Sequence, residues 1–409
     1  MRRLKNKSDD LIFQSRDLCW SHKLGIAEQN LRFCSRVVAK RCSDMEEIME
    51  DILPELNGKD YIEKLQEDYE LRFCRVEERE QLIEFLRKYW REDHIFVLRP
   101  DLLDWQHLDS KNNRYNYVVA QHKKSGEFHS ILGFVPSSQY DDKIEKMEVW
   151  PCIWKSRPDV HVKGLGVSLY YYMKATLPIE TISILGISDV ALSIYKHWNF
   201  RAGKMKHYYI LNDAMSDFHL VKDYHNMLTN GYEADNPSKS LERCTLQEFL
   251  NLPDQAFGEI NRYKSKDYFV NRFFHHPIYH YEAFLIKENG NVQGVLIARV
   301  CRNEEYKCLR IMDMTCREDK LCGMLHCFKR LLREENYEYI DFVESGLDDD
   351  MLRQAGFIDK EQSGAVVPNH FEPFCLENID LDYAYKTVSG SDNPFFKADA
   401  DQDRPSRPM

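Results

Sequence analysis

Nowhere in its 409 residues does the chain hold an unbroken apolar run of about 18, so no membrane-crossing helix and no membrane partner are expected. The basic start, from Met1 to Asp10, has no apolar stretch behind it and does not read as a secretory signal; a cytoplasmic location is the expectation. None of the twelve cysteines forms a CxxC pair, and their spacing is irregular. That argues against a disulfide framework and against the paired-ligand pattern of structural zinc. Cys322 and His326 stand four apart on an expected helix, near Cys316 and Cys327, and His276 and His280 share that spacing. The usual paired spacing of zinc ligands is missing from both, and small core side chains are the better reading, so no metal is expected. Positive charge is also short: 56 Lys and Arg against 67 Asp and Glu leave a net charge of −11, a poor basis for gripping phosphate backbones, and no nucleic-acid partner is expected. Tryptophan is absent after residue 198.

What is present suffices for more than one core. Hydrophobic residues make up 43% and aromatic residues 12% of a chain long enough for two or three domains. Residues 1–68 read as a charged, N-terminal helical segment. Leu31, Cys34, Val37 and Val38 form one apolar stripe, and Met45 to Leu53 form another before Pro54. This segment could cap a domain or join two copies, and a homodimer is one expectation.

From residue 69 strands and helices alternate. Leu71 to Val76 reads as a strand and Glu77 to Trp90 as a helix. Tyr115 to Ala120 and Ser130 to Val135 form a hairpin, and Met147 to Trp154 is a further strand. A helix opens at Gly164. Thr181 to Ile187 is a strand, Asp189 to Trp198 a helix, and His207 to Leu211 a closing strand. Residues 69–213 then form one domain, 214–240 a polar, helical connector, and 241–378 a second domain of similar element order. In that second domain Asn289-Gly290 marks a hairpin. Ile194 to Phe200 in the first domain is echoed by Met351 to Phe357 in the second, which suggests a tandem duplication. Residues 379–409 read as an acidic tail too polar for a packed core. Asp399, Asp401 and Asp403 alternate like the start of a calcium loop, but its sixth position is Arg404, so no calcium site is expected. Either the tail is a solvated end, or Phe395 and Phe396 anchor it so that the aspartates and Arg404 reach a polar site.

The most informative segment runs from His161 to Leu169, with Gly164 and Gly166 between a strand and a helix. Glycines permit a tight turn, and the N–H groups at a helix start suit a pyrophosphate. Here residues 70–212 resemble the GNAT family. Its acyl-CoA loop, Gln/Arg-x-x-Gly-x-Gly/Ala, is met by His161, Gly164 and Gly166, with His161 as the departure. Its later Asn-x-x-Ala-x-x-x-Tyr-x-x-x-Gly-Phe is met by Ala191, Tyr195 and Phe200, with Ser188 and Asn199 as substitutions. The resemblance implies an α/β (α+β) fold of tandem GNAT-like domains, each a mixed central sheet flanked by helices. It also implies N-acyl transfer from acetyl-CoA or another acyl-CoA.

The same resemblance assigns roles by position. His161, Gly164, Leu165, Gly166, Val167 and Ser168 would hold the CoA pyrophosphate. The strand ending at Ile153 and Trp154 would run beside the pantetheine arm, and a backbone N–H there would polarise the thioester. Tyr195 would protonate the leaving thiolate. Glu148 is the first candidate for the base that deprotonates the amine, with Glu145, Asp93 and His94 as others. Trp90, Asp93, His94 and Trp105 mix rings with polar groups and suit a polar, ring-shaped acceptor. A weaker similarity, to uncharacterised GNAT proteins of bacterial surface-polysaccharide gene sets, points to a nucleotide-linked amino sugar as the small-molecule amine acceptor. In the second domain Cys316 to Gly323 has no Gly-x-Gly, and Glu318 and Asp319 would repel a pyrophosphate. Two other readings stay open: an aminoacyl-tRNA-dependent peptidyltransferase of the tandem type, and an acyl-CoA-binding protein without turnover.

Overall fold

The computed structural model describes residues 65–224, 235–257, 259–390 and 394–405. The N-terminal helical segment expected over 1–68 therefore lies almost wholly outside the described residues. The chain divides into two compact units. The first takes the chain up to Pro136, Val149–Gly203 and Asp382–Val388; the second takes Ser137–Glu148, Lys204–Leu381 and the chain from Ser389 on.

The first unit is built on strands β1 (Tyr69–Arg75), β2 (Leu108–Asp109), β3 (Arg114–His122), β4 (Phe128–Pro136), β5 (Met147–Ser156), β6 (Ile179–Leu185) and β7 (Arg201–Lys204). Its helices are α1 (Arg79–Phe85), α2 (Ile95–Leu98), α3 (Pro100–His107), α4 (Leu165–Thr176) and α5 (Asp189–His197). The helix expected over 77–90 is broken into a 3-10 turn, α1 and a π turn at Leu86–Trp90. The sheet order is β1-β3-β4-β5-β6, then the strand Asp382–Thr387, then β7, with β2 beside β3. β1, β3, β4 and β5 pair antiparallel in turn. Tyr117, Val118, Val119, Ala120, Ile131 and Leu132 are all fully buried, so these strands are covered on both faces.

The second unit holds β8 (Lys206–Leu211), β9 (Lys239–Cys244), β10 (Glu282–Glu288), β11 (Asn291–Asn303), β12 (Tyr306–Met314), β13 (Tyr339–Ser345), β14 (Ile358–Asp359), β15 (His370–Phe371) and β16 (Phe374–Cys375). After them come β17 (Asp382–Thr387), the strand already placed in the first sheet, and β18 (Phe395–Phe396). The order is β14-β8-β13-β12-β11-β10-β9, with β18 beside β13 and β15-β16 as a separate pair. Helices α6 (Leu246–Leu250), α7 (Lys266–Phe269), α8 (Leu325–Glu335), α9 (Asp349–Gln354) and α10 (Lys360–Ser363) complete it. The Asn289-Gly290 turn joins β10 to β11 with φ of 51° and 78°, the two positive values that a tight hairpin turn requires. α8 buries Cys327, Phe328, Leu331 and Leu332 in a core shared with Ile311, Ile340 and Phe342.

Three expectations fail here. The strand Lys206–Leu211, read as closing the first sheet, pairs with β13 in the second. Its place beside β6 goes to β17, from the stretch read as an unpacked tail. Tail residues Phe395 and Phe396 are fully buried, and Asp399 and Asp403 nearly so. Finally, the described residues of the connector, 214–224 and 235–240, carry no helix; Lys222 instead bridges to Val366. Each failure has one cause: strand pairing and burial of charge depend on partners far away in sequence.

Candidate functional site

The loop after β5 turns into α4 at Gly164, whose φ of 75° lies in the left-handed region that glycine enters without strain. The first turn of an α-helix leaves N–H groups without intrahelical carbonyls. Here Leu165 donates to Val162 O at 3.2 Å and Ser168 to Gly164 O at 3.0 Å. Ser168 is fully buried and spends its hydroxyl on Leu165 O, 2.7 Å away. The expected set of donors therefore narrows: Leu165 and Ser168 are occupied, and Gly166 and Val167 hold the N–H groups that the helix start leaves over. Trp154, at the end of β5, fixes this turn by donating its indole N–H to Gly166 O at 3.0 Å. A Cβ on Gly166 would lie 3.2 Å from both Ser156 Oγ and Trp154 Nε1, so any larger residue there would push these neighbours by a few tenths of an ångström. His161 and Lys163, just before this turn, are exposed.

β5 is irregular where it passes this turn. Leu132 of β4 pairs with Trp154 while Phe134 pairs with Pro151, so Cys152 and Ile153 together face Gly133. Such a bulge bends the strand and breaks the regular ladder at that point. Ile153 and Trp154 are buried and Cys152 is half-buried.

α5 brings Tyr195 to the same place. Ser188 caps this helix by accepting the Ala191 N–H at 3.3 Å, and Ala191, Ile194 and Tyr195 on it are buried. At its end Asn199 has φ of 57°, and Phe200 N–H returns to Tyr195 O at 3.0 Å. This explains the departure from the family pattern: the position needs a left-handed residue, and asparagine is the usual substitute for glycine there. Tyr195 is 2% exposed. Its ring packs on Phe200 at 5.0 Å and Trp198 at 5.9 Å. Burial pushes its phenol well above the usual value, and Tyr170 and Cys152 add to the shift. Tyr170 of α4 stacks on Trp198 at 4.6 Å and lies near-parallel to Trp154 at 6.3 Å. The β5 bulge, the α4 turn and α5 thus converge on Cys152, Trp154, Gly166, Tyr170, Tyr195 and Trp198. Sequence reading missed Cys152, Tyr170 and Trp198 as members. Only the spacing of Tyr170, four residues after Gly166 on the helix, could have signalled that it faces β5.

Glu148 lies near the start of β5 and is 2% exposed. Its carboxylate accepts the Asn261 side-chain N–H at 3.3 Å, and its backbone N–H donates to Ser137 Oγ. The residues expected to meet the acceptor lie on the α1–α3 stretch. Trp90 and Trp105 are half-buried, and Asp93 pairs with Arg91 at 2.7 Å. His94 is buried and caps α2, its Nδ1 accepting the Phe96 N–H at 3.3 Å, so that nitrogen is engaged structurally. Tyr89, beside Trp90, sits 5.0 Å under the Arg157 guanidinium, which follows β5.

In the second unit no Gly-x-Gly follows β12. Glu318 is buried there, and its Oε1 accepts the N–H of Asp348 at 3.1 Å. The Cys322 thiol faces Met351, and the Cys327 thiol lies 3.2 Å from His326 Nε2. Among the described residues no group of three or more His, Cys, Asp and Glu is placed to hold a metal. Nor is any helix among them long and apolar enough to cross a membrane.

No protein-family model matches the chain, and no curated protein does. Solved structures do match. A conserved protein of unknown function from Enterococcus faecalis V583, "Probable N-Acyltransferase", is 9% identical over 78% of this chain and 73% of its own, with a TM-score of 0.50. A GCN5-related N-acetyltransferase from Anabaena variabilis is 14% identical with the same coverage and a TM-score of 0.47. A Saccharomyces cerevisiae N-myristoyltransferase with bound myristoyl-CoA is 11% identical over 83% of each chain, with a TM-score of 0.38. At such identities the likeness is one of fold: two mixed sheets flanked by helices, a tandem GNAT-like architecture.

Proposed function

We propose that the chain is an acyl-CoA-dependent N-acyltransferase that works in its first unit, with acetyl-CoA or another acyl-CoA as co-substrate. One observation carries this reading: a glycine-opened helix start, with the N–H groups of Gly166 and Val167 left over, is fastened by Trp154 to a bulged strand against which Tyr195 is buried. The leftover N–H groups suit the CoA pyrophosphate. Exposed Lys163 and His161 add positive or hydrogen-bonding character beside it. The bulged peptide at Ile153 would face the thioester oxygen, and an N–H aimed there stabilises the oxyanion of the tetrahedral intermediate.

The step is addition followed by elimination. The acceptor amine, its proton passed to a base, attacks the thioester carbonyl carbon and forms the C–N bond. The carbonyl re-forms as the C–S bond breaks, and the thiolate takes a proton. Tyr195 is our donor. Burial keeps its phenol protonated through neutral pH, and the same desolvation makes a nearby thiolate more basic, which favours the transfer. Glu148, on the same strand as Cys152, is our base. The Asn261 side chain that donates to it holds the carboxylate in place. Half-buried Trp90 and Trp105 support a flat polar acceptor, and we assign a nucleotide-linked amino sugar.

The decisive experiment incubates the protein with acetyl-CoA and a panel of nucleotide-linked amino sugars and reads product mass. A gain of one acetyl group on one acceptor is expected. Thermal protection by CoA with no transfer to any amine would replace the enzyme with a binding protein. Protection by tRNA and not by CoA would favour the peptidyltransferase.

A further inference from the structure

The parallel strands β12 and β13 pair at three positions only: Leu309 with Ile340, Arg310 with Asp341 and Ile311 with Phe342. Past these, each strand turns to a different partner. Glu344 and Ser345 of β13 pair with β18. The Lys397 N–H donates to Val343 O of β13 at 3.1 Å, and the next N–H, of Ala398, to Met312 O of β12 at 3.3 Å. The two strands therefore open, and the C-terminal segment lies in the opening, bonded to both edges.

The fit is specific. Phe395 and Phe396 are fully buried, and Phe396 stacks on Phe342 at 5.7 Å. Lys264 Nζ lies 2.7 Å from Asp399 and 2.7 Å from Asp313. Arg299 reaches Asp403 at 2.9 Å, and Arg272 donates to Ala398 O at 2.8 Å. Lys264, Arg272 and Arg299 are buried, and a buried cation left without its partner is strongly destabilising. The cations of the opening and the carboxylates of the segment are thus mutually required. Beside the opening, where the first unit has its glycine loop, the Glu318 carboxylate already accepts a backbone N–H.

We propose that the Pro394–Pro405 segment is a built-in occupant of the second unit. It fills the opening between β12 and β13. The second unit is therefore complete without a cofactor, and each chain binds one acyl-CoA. The proposal rests on the proposed function for its cofactor count, and on the second unit alone for the occupant.

Hydrogen exchange on the full chain, with and without CoA, tests both parts. Slow exchange is expected at Lys397 and Ala398 in the free protein, unchanged by CoA. Exchange around Cys152 to Trp154 should slow when CoA is added. Native mass spectrometry should give one CoA per chain. Free exchange at Lys397 and Ala398 overturns the occupant. Two CoA per chain, or CoA-dependent protection at Val343 to Ser345, overturns the count while the function stands. Absence of any CoA effect at Cys152 to Trp154 sinks the function, and the count of one falls with it. In the double variant D399N/D403N, exchange at Val343 to Ser345 should rise about tenfold with CoA binding kept. Unchanged exchange there also overturns the occupant.

Discussion

A side chain on Gly166 would press on Trp154 and Ser156, which would have to give by a few tenths of an ångström. Gly166→Val should lower CoA affinity at least about tenfold with a small change in melting temperature, read by titration calorimetry alongside a thermal melt; an unchanged affinity would show that CoA does not use this turn. Tyr195→Phe removes one hydroxyl from a buried ring and should keep fold and CoA binding. Turnover should fall by about 10²–10⁴-fold if the phenol is the acid, and wild-type turnover would leave solvent as the donor. Glu344 gives a stability test that needs no substrate. It is fully buried on β13, and burial raises its carboxyl to about 8 from 4.5, with Asp349 and Glu318 adding to the rise while the Leu347 N–H and Lys206 oppose it. The folded state keeps this proton where the unfolded chain loses it. The stability tied to that proton is whole below pH 4.5 and drains away as pH rises to about 8. Glu344→Gln should match wild type near pH 4 and exceed it near pH 9 by up to about 5 kcal/mol, measured by urea unfolding at both pH values. Parallel curves for the two proteins would place the ionisation elsewhere.

Elements carry the local chemistry that the sequence announces. α5 begins at a serine cap and ends at a left-handed asparagine. Asn199→Gly should be neutral or slightly stabilising, while Asn199→Val should cost about 1–2 kcal/mol, because a β-branched residue is strained at φ of 57°. Denaturation followed by tryptophan fluorescence separates the two, and equal stabilities would mean that the helix end is not held. The same logic made the hairpin at Asn289-Gly290 legible in advance, as it did the turn at Gly164. Legibility stops where an element's role depends on its neighbours. The helix of 77–90 was readable as apolar periodicity, but not its break into α1 and a π turn. Tyr170 and Trp198 were readable as aromatic, but not as a stack, because they come from different helices.

At the scale of the molecule, the last stretch of chain serves both sheets in separate pieces: β17 completes the first, and β18 enters the second. Two truncations should therefore differ. Ending the chain after Leu381 removes β17 from between β6 and β7 and should abolish CoA binding, although His161 to Ser168 are intact. Ending it after Gly390 leaves the first sheet whole and should keep CoA binding. It strips Phe395 and Phe396 from the second core, at a cost of about 1.5–3 kcal/mol for each. Affinity and melting profiles of the two proteins decide this, and equal CoA affinities would deny β17 a part in the first unit.

By itself the sequence determined what is set over short spans. Gly164 and Gly166 specify a turn, Ser188 a helix start, and Asn289-Gly290 a hairpin, since each acts through the backbone of its immediate neighbours. Element order followed from periodicity, and Tyr195 of α5 was singled out by the family resemblance. Tertiary structure decided which sheet each strand joins and what becomes of the charged end. Lys206–Leu211 alternates like any strand, and nothing within it names β13 as its partner. Asp399 and Asp403 read as solvated because their counter-charges, Lys264 and Arg299, lie more than a hundred residues upstream. A carboxylate's burial is set by the cation it meets, and that meeting exists only once the chain has folded.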